Sequence, residues 1–142
     1  MNDLEVMTRI ERSSFGEDSY HRELIEKLLS EKKFHNVFAE VDHEGVGYAT
    51  FFEDGRRRRA RLVTIAVIPD HRNRGYAKAM LEFLEKEMGG LGLRMASLEV
   101  GATNVPAMNL YLSNGYRIAG RMPNYYGKGK DALYMEKPIE GR

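Results

Sequence analysis

An apolar run, a basic glycine-containing loop and a helical pattern follow one another in the middle of the chain, and this order constrains the fold most strongly. The apolar run covers residues 62–68 and ends at Pro69-Asp70. After the loop, apolar side chains recur at helical spacing at Ala77, Met80, Leu81, Leu84 and Met88. The order predicts a strand that leads through a short loop into an amphipathic helix.

The loop, residues 72–77, has the properties of an anion-binding site. The first turn of a helix carries backbone N–H groups without partners and the positive end of the helix dipole. Gly75 allows a phosphate to approach the main chain, and Arg72 and Arg74 add positive charge. The structural alternative is a basic turn that precedes a helix, but the strand and helix on either side favour the anion site.

Periodicity and turn residues divide the rest of the chain into helices and strands. Four helices are predicted at residues 4–12, 20–31, 75–88 and 105–112, with Asp18 or Ser19 capping the second and Asn104 the fourth. Six strands are predicted at residues 36–41, 46–53, 60–68, 95–100, 116–122 and 131–136. The expected fold class is α/β, a mixed and mostly antiparallel sheet with one central β-α-β crossover and flanking helices.

Composition fits one globular domain over residues 1–142 and excludes several classes of chemistry. The chain has no cysteine, which excludes disulfides, thiolate metal sites and an acyl-cysteine intermediate. Its net charge of +1 gives no sign of a nucleic-acid or membrane partner. The first residues lack the pattern of a signal peptide and no apolar run reaches membrane-spanning length, so the expected location is cytoplasmic.

Glycines and histidines elsewhere predict no further cofactor site. The cluster Gly89-Gly90-Leu91-Gly92 follows a helix and not the first strand, so it is interpreted as a helix end and loop, not as a dinucleotide-binding turn. No metal site is expected, because the histidines show no paired ligand spacing with carboxylates: His21, His35, His43 and His71.

A carboxylate in an apolar strand and a tyrosine in the following helix form the second informative pattern. Glu99 lies in mid-strand, where burying a charge is costly and tends to mark a site. Tyr111 follows twelve residues later, and the chain reversal between them can bring the two side chains together. Taken singly, Glu99 is better interpreted as an edge or solvent-facing strand residue, and Tyr111 as a core aromatic with its hydroxyl at the surface. As a pair at this spacing, after the glycine loop, the two favour a functional role.

Two adjacent tyrosines before a Gly-Lys-Gly turn form the third pattern. Large aromatics such as Tyr125 and Tyr126 in a polar loop indicate the wall of a binding site. The alternative is a pair of aromatic side chains that clamp their own hairpin.

The three segments together resemble the GNAT superfamily of acetyl-CoA-dependent N-acetyltransferases, and in particular its RimI-like branch, which acetylates protein N-termini. The pattern R-x-x-G-x-A matches residues 72–77, and L-E-V-x-x-x-N-x-x-A-x-x-L-Y-x-x-x-G-[FY] matches residues 98–116. A tyrosine pair followed by D-A-x-x-M matches residues 125–135. The resemblance runs over about residues 3–139, nearly the whole chain.

The resemblance implies an acetyltransferase that uses acetyl-CoA as co-substrate. It implies that Glu99 is the general base and Tyr111 the general acid, and that Phe15, Tyr125 and Tyr126 bind the substrate. The implied acetyl-CoA-binding residues lie on the central strand, in the loop, at the helix start and at a later helix cap: Ile65, Ala66, Val67, Arg72, Asn73, Arg74, Gly75, Tyr76, Ala77, Lys78 and Asn104.

The expected substrate is the N-terminal α-amine of a protein or peptide. An α-amine with a pKa of about 7.8 is roughly one-seventh neutral at pH 7, whereas a lysine is neutral below about one part in a thousand. A small amine such as a polyamine, or a lysine side chain, stays open as a substrate, and so does a coenzyme-A-binding module without turnover. Gly16 replaces a proline common in relatives, and the first strand of relatives is missing or reduced to a stub.

The most charged feature of the chain is an arginine run: Arg56, Arg57, Arg58, Arg59 and Arg61. It is interpreted as a solvated hairpin tip. If the arginines extend a strand, Arg57, Arg59 and Arg61 share one face and could contact acidic peptides, the ribosome or RNA. The net charge of +1 argues against strong nucleic-acid binding.

Overall fold

The computed structural model describes residues 2–140, which form four α-helices and six strands. The helices are α1 (Asp3–Phe15), α2 (Arg22–Ser30), α3 (Tyr76–Gly90) and α4 (Val105–Ser113). The strands are β1 (Phe34–Val41), β2 (Glu44–Asp54), β3 (Arg59–Val67), β4 (Met95–Gly101), β5 (Arg117–Met122) and β6 (Ala132–Pro138). Short 3₁₀ turns at Gly16–Asp18 and Pro69–His71 precede α2 and α3.

All six strands join one mixed sheet in the order β1-β2-β3-β4-β6-β5. Every neighbouring pair is antiparallel except β3 and β4, which run parallel and are connected through α3. The α/β class, the mostly antiparallel sheet and the central crossover predicted from the sequence are confirmed. A second crossover was not foreseen: α4 links β4 to β5, which point the same way because β6 lies antiparallel between them.

The helices cover both faces of the sheet and divide the core into two clusters. On one face, α3 and α4 pack on the sheet around Leu81, Leu84, Met88, Leu98 and Met135. On the other face, α1 and α2 pack on β1, β2 and β3. The core of that face contains Met7, Ile10, Ile25, Tyr48 and Ala66.

At two helix boundaries, the start of α2 and the end of α3, the structure differs from the prediction. Neither Asp18 nor Ser19 caps α2, which starts after His21 without a side-chain cap. The Ser19 hydroxyl instead donates to the main-chain carbonyls of Gly16 and Glu11. The cluster 89–92 does end α3, but two residues later than predicted, because Gly89 and Gly90 form the last turn of the helix and Leu91 is its C-cap.

Tertiary packing explains the glycine at the end of α3. A Cβ on Gly89 would lie 2.8 Å from the carbonyl oxygen of Glu140, so the close approach of the C-terminal segment requires glycine there. The chain turns two residues after α3, at Gly92, whose φ is +78°. The predicted cap of α4 is confirmed, since the Asn104 side chain accepts a hydrogen bond from the Ala107 N–H at 3.3 Å.

The two parallel strands separate soon after they pair. The only pairs recorded between β3 and β4 are Arg59–Met95, Ala60–Ala96 and Arg61–Ser97, although both strands continue beyond them. A register shift between β2 and β3 makes Val63 an extra residue opposite Thr50 and Phe51. The result is a wedge that widens toward the C-terminal ends of β3 and β4.

The main chain of β3 faces this wedge at alternate residues. The N–H of Ile68 donates to Val46 of β2 at 2.9 Å, so the N–H groups of Ala66 and Ile68 point toward β2. By the alternation of a strand, the N–H groups of Ile65 and Val67 point into the wedge. These two amides therefore form an open strand edge inside the molecule.

Candidate active site

A cleft of about 510 Å³ lies along the open edge of β3. It is lined by all of the acetyl-CoA-binding residues predicted from the sequence except Arg74, together with Phe15 and Tyr111. The sequence did not indicate the other lining residues, which come from the end of α1, the loop before α3 and the first turns of α4: Ser14, His71, Pro106, Ala107 and Leu110. The buried Ser14 Oγ and His71 Nδ1 have no hydrogen-bond partner within residues 2–140.

The start of α3 gives one end of the cleft an anion-binding character. Gly75 is the N-cap residue with φ 85° and ψ 5°, a left-handed conformation that favours glycine, and no side chain caps the helix. The first N–H groups of α3 are therefore free to bind an anion. A Cβ on Gly75 would meet no atom within 4 Å, so the glycine borders open space.

Arg72 lines the cleft, and its guanidinium is hydrogen-bonded to main-chain carbonyls. Its Nε donates to the Val67 carbonyl at 2.9 Å and its Nη2 to the Ser14 carbonyl at 3.3 Å. The guanidinium therefore ties the loop to the end of β3 and the end of α1. Arg74 is exposed and lies outside the cleft lining.

Glu99 lies on the opposite face of the sheet from α3 and α4, because its neighbours Leu98 and Val100 are buried against those helices. Its side chain is 13% exposed. The Nε of Arg61 donates to both of its carboxylate oxygens, at 3.2 and 3.0 Å. The candidate base is thus an ion-paired carboxylate at the point where β4 leaves β3.

The two adjacent tyrosines meet at Glu99. Tyr126 donates from its hydroxyl to the main-chain carbonyl of Glu99 at 3.2 Å, and the Nη2 of Arg61 donates to the Tyr125 hydroxyl at 3.2 Å. Their rings pack edge to face at 4.9 Å, and both remain 41–50% exposed. The pair thus contacts residues of the central strands, in addition to packing within its own hairpin.

Tyr111 lines the cleft from α4 and packs edge to face on Tyr116, at 5.8 Å between ring centroids. Burial raises the pKa of the Tyr111 hydroxyl, and the nearby hydroxyls of Tyr126 and Tyr20 raise it further. Tyr111 therefore keeps its proton at neutral pH. Within residues 2–140 no hydrogen bond joins Tyr111 to Glu99, whereas Tyr126 is hydrogen-bonded to the Glu99 main chain and its hydroxyl is near enough to Tyr111 to raise the pKa of that residue.

Tyr20 is a site residue that the sequence analysis missed. Its hydroxyl donates to the Val63 carbonyl at 3.4 Å, and its N–H donates to the carboxylate of Glu11 at 3.0 Å. Glu11 is buried and also accepts a hydrogen bond from the Tyr48 hydroxyl. This network fixes the segment between α1 and α2 against the bulge of β3. In the sequence, the aromatic side chain of Tyr20 was the only signal that this residue has a structural role.

The arginine run divides into two parts. Arg56, Arg57 and Arg58 lie in the turn between β2 and β3. Arg59 pairs with Glu136 at 3.0 Å and Tyr134 at 2.9 Å, and Arg61 pairs with Glu99. The shared strand face expected for Arg57, Arg59 and Arg61 is therefore found for the last two only, and both are in ion pairs.

Two features that would bear on function are absent from residues 2–140. None of their helices is long and apolar enough to cross a membrane. The same residues contain no group of three or more histidine, aspartate or glutamate side chains arranged to hold a metal ion.

Comparison with known proteins agrees with this geometry. The sequence is 29% identical to an N-alpha-acetyltransferase of Sulfurisphaera tokodaii over 152 residues, covering 98% of this chain and 89% of that protein. Over 84 residues it is 40% identical to the [ribosomal protein bS18]-alanine N-acetyltransferase of Escherichia coli, covering 56% of each chain. The crystal structure of the ribosomal-protein-S18-alanine N-acetyltransferase from Escherichia coli superimposes with a TM-score of 0.88 at 27% identity, covering 99% of this chain and 90% of that one.

The acetyltransferase (GNAT) family pattern matches residues 4–116, which include the strand, the glycine loop, Glu99 and Tyr111. Most of the chain lies within that match. The chain therefore belongs to the acetyltransferase (GNAT) family and is an acetyl-CoA-dependent N-acetyltransferase.

Proposed function

We propose that the protein transfers the acetyl group of acetyl-CoA to the N-terminal α-amine of a protein or peptide, with Glu99 as general base and Tyr111 as general acid. The observation that carries the proposal is the contact of Tyr125 and Tyr126 with the Arg61–Glu99 pair. Two half-exposed aromatic walls beside a carboxylate suit an extended chain better than a compact amine. The N-alpha-acetyltransferase among the relatives supports the same substrate class.

The residues of the cleft fit acetyl-CoA, which supplies the reactive thioester when bound. The free N–H groups at the start of α3 and the left-handed Gly75 suit its pyrophosphate. The N–H groups of Ile65 and Val67 on the open edge of β3 suit its amide-containing arm, as in the addition of a strand to a sheet. One of these two N–H groups would polarise the thioester carbonyl, and Asn104 lies beside the same cleft.

The two proposed proton-transfer groups, the base and the acid, lie on opposite sides of the wedge between β3 and β4. Glu99 faces the side of the tyrosine pair, where it would accept a proton from the substrate amine through direct contact or one water. Tyr111 lies in the cleft on the other side and holds a proton for the departing thiolate. Placing the base and the acid on opposite sides suits direct attack by an amine and needs no covalent enzyme intermediate.

We also propose that residues 1–142 act as one acetyltransferase domain, because a single sheet connects the cleft with the Glu99 site. Any contact with a ribosome would use Arg56, Arg57 and Arg58. Arg59 and Arg61 are already in ion pairs on the sheet face.

A substrate panel tests the proposed function. Acetyl-CoA turnover is measured with a lysine-free peptide that has a free N-terminus, with a lysine-containing peptide in its free and in its N-formylated form, and with spermidine. The expected result is acetylation of the free N-terminus and loss of acetylation on formylation. Equal rates for the formylated, lysine-containing peptide and its unblocked counterpart would replace the proposal with side-chain acetylation, and a preference for spermidine would replace it with small-amine acetylation.

A further inference from the structure

We propose that Arg61 selects peptide substrates whose second residue is aspartate or glutamate. The inference rests on the proposed function and adds the chemical class of the preferred N-terminus. Arg61 lies between the candidate base and the aromatic wall, so it is in a position to contact the residue that follows the reacting amine.

The Arg61 guanidinium uses some of its donors for contacts within the protein and leaves others unpaired. Its Nε bonds both oxygens of Glu99 and its Nη2 bonds the hydroxyl of Tyr125. Its side chain is 50% exposed, whereas that of Glu99 is 13% exposed. Its Nη1 has no hydrogen-bond partner in the part of the chain that the structure describes. The guanidinium therefore presents free donors to the mouth of the site.

Binding of the substrate changes what Arg61 can pair with. A peptide ammonium that approaches Glu99 competes with Arg61 for the same two carboxylate oxygens. Arginine does not lose its charge in proteins, so a guanidinium that gives up part of an ion pair gains from a new acceptor. An acidic side chain on the substrate supplies that acceptor and restores the balance of two cations and two anions at the site.

Covalent geometry places this acceptor at the second residue. In an extended peptide the Cα of residue 2 lies roughly 5 Å from the α-nitrogen, and an aspartate or glutamate carboxylate extends roughly 2.5 to 3.5 Å further. The Arg61 guanidinium lies between Glu99, at 3.0 Å, and the Tyr125 hydroxyl, at 3.2 Å, so it is the first cation that a carboxylate extending past Glu99 would meet. A carboxylate at residue 2 therefore reaches Arg61, while the α-amine stays at Glu99.

The experiment compares peptides that share the first residue and differ only at the second, as Asp against Asn and Glu against Gln. In the wild-type enzyme we expect kcat/KM to be about tenfold higher for the acidic member of each pair at low ionic strength. The preference should decrease with added salt, since the pair is partly exposed. Each preference is a ratio measured on one enzyme, so a general change in activity cancels.

Three variants assign the preference to Arg61. R61Q keeps the side-chain length without charge and should bring both ratios close to one, whereas R61K should retain part of the preference. R59Q is the matched control, because Arg59 lies on the same face of β3 and pairs with Glu136 instead of Glu99. Its ratios should equal those of the wild type.

Specific outcomes would overturn the inference while leaving the proposed function in place. One is equal kcat/KM for the acidic and amide peptides in the wild-type enzyme. Another is a preference that survives R61Q, even where kcat/KM falls equally for all peptides, which would mean that Arg61 acts through Glu99 or the peptide main chain and not on the second side chain. By contrast, acetylation that ignores a formyl block on the N-terminus would overturn the proposed function itself.

Discussion

The hydroxyl of Tyr126 donates a hydrogen bond to the main-chain carbonyl of Glu99 at 3.2 Å, although the two residues are 27 positions apart. This bond ties the loop between β5 and β6 to β4 at the level of the candidate base. Because Tyr125 contacts Arg61 in the same region, one loop contacts both the main chain of Glu99 and the arginine that pairs with its carboxylate. A change in this loop should therefore act on the peptide side of the reaction more than on acetyl-CoA.

Tyr125→Ala and Tyr126→Ala should each raise the peptide KM by about tenfold while leaving the acetyl-CoA KM nearly unchanged. The reason is that the two tyrosines, which we propose contact the substrate chain, do not line the cleft proposed for acetyl-CoA. Steady-state kinetics with each substrate varied in turn gives both constants. Tyr126→Phe separates the ring from the hydrogen bond to Glu99, and an equal rise in both KM values would show that the loop affects the whole site.

Glu99→Gln should lower kcat by about 10² to 10⁴ without weakening acetyl-CoA binding. The amide cannot accept the substrate proton, while its shape preserves the packing of β4. Glu136→Gln is the matched control, because Glu136 is also an arginine-paired carboxylate on the same sheet face. Rates and calorimetric affinities for both variants provide the check, and a near-wild-type rate for Glu99→Gln would place the base elsewhere.

Tyr111→Phe should lower kcat by roughly tenfold to a hundredfold, since a general acid is lost but water can partly replace it. The raised pKa of Tyr111 means that its hydroxyl carries the proton throughout the neutral range. The effect should therefore be constant between pH 6 and 9 in a pH–rate profile. Full activity of the variant at every pH would reduce Tyr111 to a packing residue.

Arg72→Ala should weaken acetyl-CoA binding by about 1 to 3 kcal/mol, because two charge-assisted hydrogen bonds that shape the loop are lost. Arg74→Ala removes the same charge from an exposed position and should have a smaller effect. Isothermal titration calorimetry measures both affinities. If both variants lose the same amount of acetyl-CoA affinity, the positive charge near the loop matters and the hydrogen bonds of Arg72 to Val67 and Ser14 do not.

Gly75→Ala should also weaken acetyl-CoA binding, since a left-handed residue with a side chain costs about 1 to 2 kcal/mol and places a methyl group at the helix start. Gly90→Ala is the matched substitution at the other end of α3, where the added Cβ meets no atom within 4 Å. That variant should keep full affinity and should not lower the melting temperature. Unchanged acetyl-CoA affinity in Gly75→Ala would argue against phosphate binding at this loop.

Tyr116→Phe should leave stability at pH 7 nearly unchanged and should reduce the loss of stability in alkaline solution. The Tyr116 hydroxyl is buried near Glu85 but outside hydrogen-bond geometry. Burial, and then the Glu85 carboxylate, raise the pKa of this hydroxyl above its ordinary value of 10.0. The folded protein keeps the proton where the unfolded chain begins to lose it, so the stability from this group is complete below pH 10 and is lost above it.

Thermal unfolding of the wild type and the variant between pH 7 and 11 measures this difference. Tyr48→Phe is an informative contrast, because it removes a hydrogen bond to the buried Glu11 and should destabilise the protein at pH 7 as well. A large loss of stability at pH 7 in Tyr116→Phe would mean that the hydroxyl has a partner in solution.

Much of the fold could be predicted because its signals are local. Apolar periodicity located the strands and helices, and Asn104 was identified correctly as a helix cap. The failures come from tertiary contacts. Ser19 has the chemistry of a cap, but its hydroxyl is used by Gly16 and Glu11. Gly89 lies within a helix, where the close approach of the C-terminal segment, and not a helix end, requires glycine.

For the candidate site, the sequence identified groups but not their partners. The glycine loop, Glu99 and the tyrosine pair were each recognisable from residue type and spacing. The Arg61–Glu99 ion pair joins residues 38 positions apart and depends on the parallel register of β3 and β4, which no local pattern encodes. The bulge at Val63 and the main-chain hydrogen bonds of Arg72 also result from tertiary packing, so they could not be predicted from residue type.

The early separation of β3 and β4 leaves a signature in amide hydrogen exchange. Along one strand, the N–H groups of Ala66 and Ile68 face β2, while those of Ile65 and Val67 face the wedge. Protection should therefore alternate residue by residue in the free protein, with slow exchange at positions 66 and 68 and fast exchange at 65 and 67. The interior strand β3 would then show the exchange behaviour of a strand at the edge of a sheet. The alternating protection marks the edge of β3 that is open to hydrogen bonding with an added amide-containing ligand.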